Sequence, residues 1–566
     1  MTAARAHVIA DAAIVHGRTL LQRWARLRPQ HAALKSPTIT LSFAQLLARV
    51  DGVSDELKAL AVQPGDVVAF QLPNWAEAFV LYHAVLAIDA IALPLLPALR
   101  ERDLAYMLQE TQASLFITPR TWRGVDHAAM ARRVCGPGVR LALMQEPQET
   151  RAQQPQATGS GALQATGPNE AQTYGPLLHA TGRGEARLQT MPPRPVPPAK
   201  PITHGAAPGS LDAVCSVIFT SGTSGRPKAV LYSHRNLGIE GREMALVDRT
   251  TADDVLFVPP AIGHVSGISF GICMALHAGA TVCLLPEWLP DRAVALIERE
   301  RCTWTAGATP FLQGLVRAAA SRPDALASLR VFRCGGASVP PELIRQARAL
   351  GVDAYRSYGL SEHPTVAGRA GQPDDVCTHA DGIIHPLIEV HIVDPADASR
   401  ERPFGEEGEI VTRGPDCSLG YLRATDTASS RHNGWLLTGD LGTLSTDGVL
   451  RVTGRKKDII IRKGENISAR ELEDVLADHP AVAEVSVVGV PDAERGELVC
   501  CVVVPRGDSA PDLPTLCRHL LDRGLPTYKL PERLALLPHL PINAGGKVRK
   551  PALQAWLAGD PTALDD

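Results

Sequence analysis

Residues 217–236 read VIFTSGTSGRPKAVLYSHRN. An apolar run opens the stretch, a loop rich in glycine and hydroxyl residues follows, and a second apolar run comes after Lys228. Gly222 and Gly225 tolerate backbone dihedrals that side chains forbid, so the loop can approach a ligand closely. Its N–H groups and hydroxyls can line a nest for anionic oxygens, and Lys228 adds a positive charge. The stretch therefore predicts a phosphate-binding loop.

The same composition between two apolar runs is also typical of an ordinary turn. A Walker A loop is excluded, because its G-x-x-x-x-G-K-[ST] register is absent and Ala229 follows Lys228. TSGTSGRPK followed by SHRN closely resembles the TSGTTGxPKG…THxN signature of the AMP-binding, adenylate-forming superfamily, which includes acyl-CoA synthetases, carrier-protein adenylation domains and luciferases. The resemblance implies that the loop binds the β- and γ-phosphates of ATP through Thr220, Ser221, Gly222, Thr223, Ser224, Gly225 and the catalytic Lys228.

Composition bounds the class of protein. The chain has 566 residues, which is long for one hydrophobic core, so two or more domains are expected. Apolar residues make up 45% and charged residues 21%, as in ordinary soluble globular proteins. The net charge of −3 and the aromatic content of 4% give no reason to expect nucleic acid as a partner.

Three features bear on the compartment. The 11 cysteines are scattered with no C-x-x-C pair, which favours a reducing, cytoplasmic compartment over a disulfide or metal framework. The N-terminal residues mix charges and lack an apolar h-region, so no secretory signal is predicted. Residues 255–286 carry no Asp, Glu, Lys or Arg, but proline and glycine divide them into short runs. A buried sheet and helix therefore fit this segment better than a membrane span.

The pattern along the chain predicts an α/β fold. Strands and helices alternate from about residue 50 to 145 and again over 211–393, which implies parallel βαβ units. Residues 146–210 are rich in Gln, Gly, Ala and Thr and then in Pro, and they predict a loop or partly disordered insertion. A linker between two unrelated domains is the competing interpretation. The shorter strands after residue 393 predict a small distorted β-barrel.

After Gly454 the pattern restarts as a compact α+β unit. The prediction is therefore a large N-terminal AMP-binding domain over residues 1–454, built of α/β sheet subdomains plus the small barrel. A smaller C-terminal domain follows over residues 455–566. In the superfamily this second domain is mobile and carries the catalytic lysine, so the resemblance implies the same here.

Residues 358–362, YGLSE, follow a predicted strand and resemble the family's YGxTE pattern. An aromatic ring suits stacking on adenine, and a carboxylate suits a magnesium ion that bridges phosphate oxygens. By resemblance, Tyr358 stacks on the base, Gly359 lines the ATP site, Ser361 contacts the α-phosphate and Glu362 is the catalytic magnesium ligand. A strand-end turn with an exposed glutamate is the alternative.

Residues 334–340, CGGASVP, resemble the GGAxLP segment that lines the adenine and acyl pockets. Two glycines after a buried strand permit a close approach of the backbone to a ligand. The resemblance assigns Gly335, Gly336 and Ala337 to the nucleotide site, and Gly335 also to the acyl pocket. The same glycines are also common in plain β–α turns.

Residues 435–440, WLLTGD, match the family's W-x-x-TGD, and residues 454–458, GRKKD, follow at the family's spacing. An aspartate after a glycine can accept hydrogen bonds from both ribose hydroxyls. The resemblance therefore assigns Asp440 to the ribose, Arg455 to the nucleotide, and Lys457 to the hinge between the domains. A lone TGD is otherwise typical of a turn.

Two C-terminal segments complete the set. Residues 463–473, KGENISARELE, resemble KGxxISPxEIE, and they place Lys463 and Gly464 on the path of the attacking thiol. Residues 541–550, PINAGGKVRK, resemble PxxxxGKVxK. A lysine on a glycine-flanked loop can bridge a carboxylate and a phosphate as a mobile charge, and the resemblance gives this role to Lys547. A basic surface turn is the alternative.

His264, in PPAIGHVSG, falls where acyl-CoA synthetases often carry a histidine beside the acyl pocket. A satisfied core histidine is the alternative interpretation. Segments such as LPNWAEAF and RERDLAYML resemble cyclohexanecarboxylate- and medium-chain-type acyl-CoA ligases. Against that, Asp89 stands where those ligases usually have glycine.

The implied activity is an ATP-dependent acid–CoA ligase. A carboxylate attacks the α-phosphorus of ATP, with Mg²⁺ as the metal, and gives acyl-AMP and pyrophosphate. The thiol of CoA, as co-substrate, then takes the acyl group and releases AMP. Two other functions stay open: an acyl-AMP ligase that loads a separate carrier protein, and a non-catalytic adenylate-binding homologue.

Overall fold

The computed structural model describes residues 14–136, 138–147, 179–180, 202, 205–220, 226–462, 465–492, 494–507, 510–542 and 547–564. Two eight-stranded sheets form the larger part of the fold. The strands of the first sheet lie in the spatial order His363–Ala367, Asp353–Leu360, Val331–Gly335, Trp304–Gly307, Val255–Phe257, Thr281–Cys283, Ala32–Lys35 and Thr40–Ser42. Its inner strands are parallel, as the strand–helix alternation predicts.

The second sheet contains the strands on both sides of the predicted phosphate loop. Its strands lie in the order Gly420–Tyr421, Lys228–Ser233, Val214–Thr220, Ile91–Pro94, Val67–Phe70, Leu115–Pro119, Arg140–Met144 and His179–Ala180. His179–Ala180 falls within the predicted insertion 146–210, most of which lies outside the described residues, and pairs with Arg140–Met144. The short hairpin Thr121–Trp122 and Val125–Asp126 stands apart.

Helices alternate with these strands. The longer ones are Gly17–Leu27, Phe43–Ala59, Ala76–Ala87, Glu101–Glu110, His127–Val134, His234–Val247, Pro290–Glu300, Thr309–Ala319 and Pro341–Ala349. Shorter helical segments are Val265–Ile268, Ser269–Met274, Ala275–Ala278, Pro323–Leu326, Asp374–His379 and Ala424–Ser429. Segment 255–286 thus folds as the predicted strands and helix of the core. Within the described ranges, no helix combines the length and the apolar character that crossing a bilayer requires.

The SHRN segment, residues 233–236, forms the N-terminal cap of a helix. Ser233 is the N-cap of helix His234–Val247, and its hydroxyl oxygen accepts a hydrogen bond from the Asn236 N–H at 3.2 Å. The Asn236 side-chain oxygen accepts in return from the Ser233 N–H at 3.2 Å. This reciprocal capping arrangement satisfies backbone donors that the helix leaves free, so it starts a helix directly after strand Lys228–Ser233.

A seven-stranded antiparallel sheet follows the two large sheets. Its strands lie in the order Gly382–Ile383, Val449–Arg455, Trp435–Leu444, Gly408–Arg413, Glu389–Asp394 and Asp397–Glu401, and Arg431–His432 adds to Trp435–Leu444. The sequence predicts a small distorted barrel here. Among the described strands the sheet stays open, because the mostly exposed strand Asp397–Glu401 forms a polar edge with no further partner strand.

The sheet ends at Arg455, and the short helix Lys456–Asp458 leads into a separate five-stranded sheet. Its strands are Glu465–Ser468, Ile459–Arg462, Gly496–Pro505, Val482–Asp492 and Arg533–Leu536, with helices Ala469–Leu476, Leu513–Asp522 and Lys550–Leu557 and the short turns Thr527–Lys529 and Pro561–Leu564. This unit has its own apolar core, which includes Leu472, Val499 and Val503. It packs on the larger part of the chain through polar contacts: the Arg470 guanidinium lies 3.2 Å from Asp381, and the Ser468 hydroxyl donates to Thr453 O at 2.6 Å.

Candidate functional site

The phosphate-loop residues stand between two paired strands. Thr220 ends strand Val214–Thr220, Lys228 begins strand Lys228–Ser233, and the two residues lie opposite each other in the antiparallel pair. Both are half-buried. The pairing therefore brings Thr220 and Lys228, which flank the loop, together at the same end of two neighbouring strands. The other predicted phosphate ligands, Ser221, Gly222, Thr223, Ser224 and Gly225, lie outside the described residues.

Lys228 has partners that the sequence did not predict. Its Nζ lies 3.5 Å from the Asp426 carboxylate and 5.0 Å from the centre of the Tyr421 ring. An ammonium over an aromatic face is attracted by the ring quadrupole. The Asp426 carboxylate and the Tyr421 ring thus both attract the Lys228 ammonium at the start of strand Lys228–Ser233.

Ser361 and Glu362 occupy the tip of the hairpin formed by Asp353–Leu360 and His363–Ala367. The Tyr232 hydroxyl donates to the Ser361 carbonyl, and the Tyr421 hydroxyl donates to Glu362 Oε1. The Glu362 carbonyl accepts the Ser418 N–H at 2.9 Å. The hairpin tip is therefore held from several sides, with the Glu362 carboxylate half-buried beside Tyr421.

Tyr358, Asp440 and Arg455 form one connected group. The Tyr358 hydroxyl donates to Asp440 Oδ2 at 2.8 Å, and Arg455 Nε donates to Asp440 Oδ1 at 2.8 Å. Asp440 and Arg455 are opposite each other on neighbouring strands, so the GRKKD spacing follows from the strand register. The Asp440 carboxylate raises the pKa of the Arg455 guanidinium. The structure thus brings the predicted adenine, ribose and nucleotide contacts together.

The CGGASVP segment runs beside the Tyr358 strand. Gly335 pairs with Ser357, and a Cβ on Gly335 would lie only 2.6 Å from the Ser357 carbonyl oxygen, so no larger residue fits. Gly336 has φ +79°, which favours glycine. Gly336 and Ala337 are exposed. The backbone of this segment is therefore open to a ligand.

His264 caps the helical segment Val265–Ile268. Its Nδ1 accepts the Ser266 N–H at 3.2 Å. The protein packed around the ring, and secondly the charge of Lys547, lower the pKa of His264 to about 4. The imidazole is therefore neutral at neutral pH. The charge of Lys547, from the C-terminal unit, thus acts on His264 as well.

Lys547 comes from the C-terminal unit and enters the same group of residues. Burial lowers the pKa of its ammonium, and the neighbouring cation Arg455 lowers it further. Asp440 and Glu362 act on the Lys547 pKa in the opposite direction. The charges of both carboxylates thus act on the same lysine, which lies in the electrostatic neighbourhood of Asp440 and Glu362.

The remaining predicted residues divide into two sets. Lys457 lies in the short helix Lys456–Asp458 that joins the seven-stranded and five-stranded sheets. Lys463 and Gly464, on the predicted thiol path, lie outside the described residues. The structure therefore places Lys457 at the connection between the two units and leaves the thiol path untested.

The Glu362 carboxylate is suited to a magnesium ion that arrives bound to a nucleotide. No cluster of three or more His, Cys, Asp or Glu side chains arranged for a metal occurs in the described part of the chain. Mg²⁺ commonly binds proteins through one or two carboxylates and completes its shell with water and substrate phosphates. The single Glu362 carboxylate, next to the phosphate-loop strand, fits that mode.

Sequence reasoning missed three features of this neighbourhood. Tyr421 and Asp426 contact Glu362 and Lys228, and the Ser338 hydroxyl donates to Asp474 of the C-terminal unit. The only local signal for Tyr421 is an aromatic residue directly after Gly420. These contacts join segments distant in the chain, so no spacing rule predicts them.

Comparison with known proteins identifies the family. Residues 21–422 match the family described as AMP-binding enzyme, and residues 471–547 match the AMP-binding enzyme C-terminal domain. The chain belongs to the AMP-binding enzyme family. This AMP-binding enzyme is an adenylate-forming acid ligase, as the ordered motifs predict.

Two relatives differ in the reaction that their names describe. The medium-chain fatty-acid–CoA ligase of Escherichia coli (strain K12) is 31% identical over 534 residues, which cover 94% of this chain and 88% of that protein. The 2,3-dihydroxybenzoate-AMP ligase of Bacillus subtilis (strain 168) is 31% identical over 520 residues, which cover 91% and 88%. CoA ligases and AMP ligases thus both resemble the AMP-binding enzyme.

Two solved structures share its fold. ATP-bound MatB from Rhodopseudomonas palustris has a TM-score of 0.79 at 26% identity and covers 96% of this chain and 99% of that chain. O-succinylbenzoate coenzyme A synthetase (MenE) from Bacillus subtilis, in complex with ATP and magnesium ion, has a TM-score of 0.75 at 25% identity and covers 94% and 98%. The combination of a large and a small unit is common to these adenylate-forming enzymes.

Proposed function

We propose that this AMP-binding enzyme is an ATP-dependent acid–CoA ligase. In the first half-reaction an oxygen of the acid attacks the α-phosphorus of ATP, the bond to the bridging oxygen breaks, and pyrophosphate leaves. In the second half-reaction the CoA sulfur attacks the acyl carbon, the thiol proton is lost, and AMP leaves. No enzyme nucleophile is required in either step.

One feature supports the first half-reaction: Lys547 belongs to the C-terminal unit, and the charges of Arg455, Asp440 and Glu362 in the larger unit act on its pKa. Negative charge accumulates on the attacking carboxylate and on the α-phosphate. A preorganised ammonium in a water-poor site stabilises that charge without having to reorganise. Lys547 therefore holds the acid and the phosphate together, and its catalytic effect is positioning plus charge neutralisation.

The other residues take roles that fit their chemistry. The Tyr358 ring faces adenine, Asp440 accepts hydrogen bonds from the ribose hydroxyls, and Arg455 orients Asp440. The phosphates meet Thr220, Lys228, Ser361 and the loop 221–225. Glu362 would hold Mg²⁺, which would supply neutralisation of the phosphate charge. The nucleotide pocket and the acyl pocket are separated by the backbone of Gly335, Gly336 and Ala337.

The second half-reaction needs a different neighbour for the adenylate. We propose that residues 455–566 move as a domain about Lys457 after acyl-AMP forms, so that Lys547 leaves and the segment with Lys463 and Gly464 takes its place. Lys457 lies at the connection between the two units, and polar contacts such as Arg470–Asp381 join them, which supports such a rotation. CoA is favoured as the acceptor because the apolar stretch after Pro259 offers no aspartate for an amino acid's α-amino group.

The acid is proposed to be an apolar monocarboxylic acid with no second charged group. His264, the predicted acyl-pocket residue, is neutral at neutral pH and gives no cation for a second carboxylate. Relatives include a medium-chain fatty-acid–CoA ligase. A cytoplasmic location, which the cysteine pattern favours, stays a prediction.

The primary test is ATP–pyrophosphate exchange with medium-chain, alicyclic and aromatic acids. With an accepted acid, Lys547→Ala is expected to reduce exchange at least about 100-fold, the scale of losing one preorganised charge-stabilising group. Lys529→Ala is the matched control, because Lys529 is a lysine of the same unit paired with Glu471 at 2.6 Å. Full exchange by Lys547→Ala would refute the role of Lys547, and no exchange by the wild type with any acid would indicate a non-catalytic homologue.

The acceptor is tested separately. We expect AMP release to accelerate with CoA and not with phosphopantetheinylated carrier proteins at equal concentration. The reverse result would make the enzyme an acyl-AMP ligase for a carrier protein, the function named for relatives such as the salicyl-AMP ligase / salicyl-S-ArCP synthetase of Mycobacterium tuberculosis.

A further inference from the structure

Tyr421 contacts two candidate ATP-site residues at once. It belongs to the short strand Gly420–Tyr421, which pairs antiparallel with Lys228–Ser233 so that Tyr421 lies opposite Val230. Lys228 is then its diagonal neighbour, a position that long and aromatic side chains reach across a strand pair. The Tyr421 ring lies 5.0 Å from Lys228 Nζ, and its hydroxyl donates to Glu362 Oε1.

The backbone around Tyr421 is firmly placed. On either side of it, the Leu419 N–H donates to Leu231 O at 2.9 Å and the Leu422 N–H donates to Ala229 O at 2.8 Å. The Tyr421 N–H donates to Thr427 Oγ1 at 2.8 Å. The tyrosine is thus anchored to the phosphate-loop strand by a ladder of hydrogen bonds.

Gly420 permits this anchoring. It has φ +121°, a conformation that favours glycine, and a Cβ there would lie 2.7 Å from Thr427 Cγ2. The close packing of Gly420 on Thr427 leaves Tyr421 little freedom to move away from Glu362.

We propose that Tyr421 is a positioning residue for acyl-AMP formation, which fixes the Glu362 carboxylate for Mg²⁺ and holds the Lys228 ammonium at a set place beside it. This inference rests on the proposed function. One carboxylate oxygen is engaged by the tyrosine, so the other is presented to the metal. Groups that orient metal ligands typically change metal affinity or activity 10–100-fold when they are removed.

The Lys228 ammonium beside the Tyr421 ring also lies 3.5 Å from the Asp426 carboxylate, so the ring and the carboxylate both attract it. The tyrosine therefore couples the position of the metal ligand to that of the phosphate-binding lysine.

Tyr421→Phe removes the hydroxyl and keeps the ring. We expect the Mg²⁺ concentration for half-maximal ATP–pyrophosphate exchange to rise about 10-fold or more, with little change in exchange at saturating Mg²⁺. A second readout does not need the reaction: the rise in melting temperature caused by Mg²⁺ and ATP together should shrink, whereas the effect of ATP without Mg²⁺ should not. Tyr421→Leu, which also removes the ring, should in addition raise the ATP concentration needed.

Tyr355→Phe is the matched control, because it removes another tyrosine hydroxyl that donates to a buried carboxylate, that of Asp248, outside the site. It should alter the melting temperature but not the Mg²⁺ dependence. In a Glu362→Gln background, Tyr421→Phe should add little, since both changes break the same link.

An unchanged Mg²⁺ requirement in Tyr421→Phe, or full additivity with Glu362→Gln, would overturn the inference. So would equal loss at every Mg²⁺ concentration, which indicates a merely structural tyrosine. If the wild type activates no acid, the proposed function fails, but the melting experiment still tests Tyr421. If Tyr421→Phe does not fold, Tyr421→Trp, which keeps an aromatic ring but has no hydroxyl to donate to Glu362, takes its place in the same melting experiment with the same criterion.

Discussion

At the scale of single residues, Lys547 shows how the site sets a chemical property. Burial lowers the pKa of its ammonium, Arg455 and Lys457 act in the same direction, and Asp440 and Glu362 only partly compensate. A lysine that works as a cation is active only below its pKa. The surroundings that make the Lys547 charge effective also lower its pKa toward physiological pH, so the ammonium loses its proton more easily.

The lowered pKa of Lys547 predicts how activity depends on pH. We expect kcat/KM for acyl-AMP formation to fall as pH rises through the Lys547 pKa of the free enzyme, below the ordinary lysine value of 10.5. Lys547→Arg should move this alkaline limb to higher pH, because a guanidinium stays protonated, and should lower the maximal rate, because its planar fork differs from a point charge. Exchange rates measured from pH 7 to 10.5 test this. An alkaline limb at the same pH in both proteins would show that another group causes it.

The sequence carries information about residue contacts where a motif is local. Asp440 and Arg455 are brought face to face by strand register, and Ser233 and Asn236 form one helix cap, so their spacing carries the information. Tyr421 and Glu362 are 59 residues apart, and their contact depends on how a short strand and a hairpin tip meet. No periodicity reports such a contact.

At the scale of elements, the hairpin of strands Asp353–Leu360 and His363–Ala367 decides where Glu362 stands. Gly359 faces the returning strand so closely that a Cβ would lie 1.8 Å from the Pro364 carbonyl oxygen. Any side chain at this position must push the two strands apart. The glycine of YGLSE is thus required by packing, in addition to any contact with the nucleotide.

Gly359→Ala tests the hairpin. We expect a loss of at least ~1–3 kcal/mol in stability, the usual cost of overpacking, together with weaker binding of ATP and Mg²⁺ as Glu362 is displaced. Gly52→Ala is the matched control: Gly52 lies inside helix Phe43–Ala59, nothing lies within 4 Å of its added Cβ, and alanine favours the helix by about 1 kcal/mol. Melting curves with and without ATP and Mg²⁺ measure both variants. Equal stability of Gly359→Ala and the wild type would contradict the packing argument.

At the scale of the whole molecule, one buried carboxylate joins the C-terminal unit to the larger part of the chain. The Asp381 carboxylate forms two ion pairs, each at 3.2 Å. One is with Arg356 of the larger part, and the other is with Arg470 of the C-terminal unit. Burial would raise the Asp381 pKa, but the two arginines and the Val452 N–H outweigh it and lower the pKa. The shared, buried carboxylate favours the arrangement in which Lys547 reaches the site.

Arg470→Gln should therefore affect the two half-reactions differently. We expect acyl-AMP formation to slow about 10-fold, the scale of one charge-assisted hydrogen bond, while acyl transfer from supplied acyl-AMP to CoA stays near the wild-type rate. Arg345→Gln is the matched control, since its pair with Glu342 is exposed and contributes little. Single-turnover assays of each half-reaction separate the effects. An equal loss in both would show that Arg470 does not act through the closed arrangement.

The sequence by itself determined the family, the α/β fold and the order of the motifs, because glycine turns, capping residues and strand–helix alternation act over a few residues. It predicted a small distorted β-barrel after residue 393, and only tertiary structure showed that the described strands form an open sheet with the polar strand Asp397–Glu401 at its edge. Tertiary structure also decided which distant groups surround the motif residues: Tyr421 beside Glu362, Asp426 beside Lys228, and Asp381 between two arginines. Such contacts depend on how separate sheets pack, and that packing is set by the whole core rather than by any one stretch of chain.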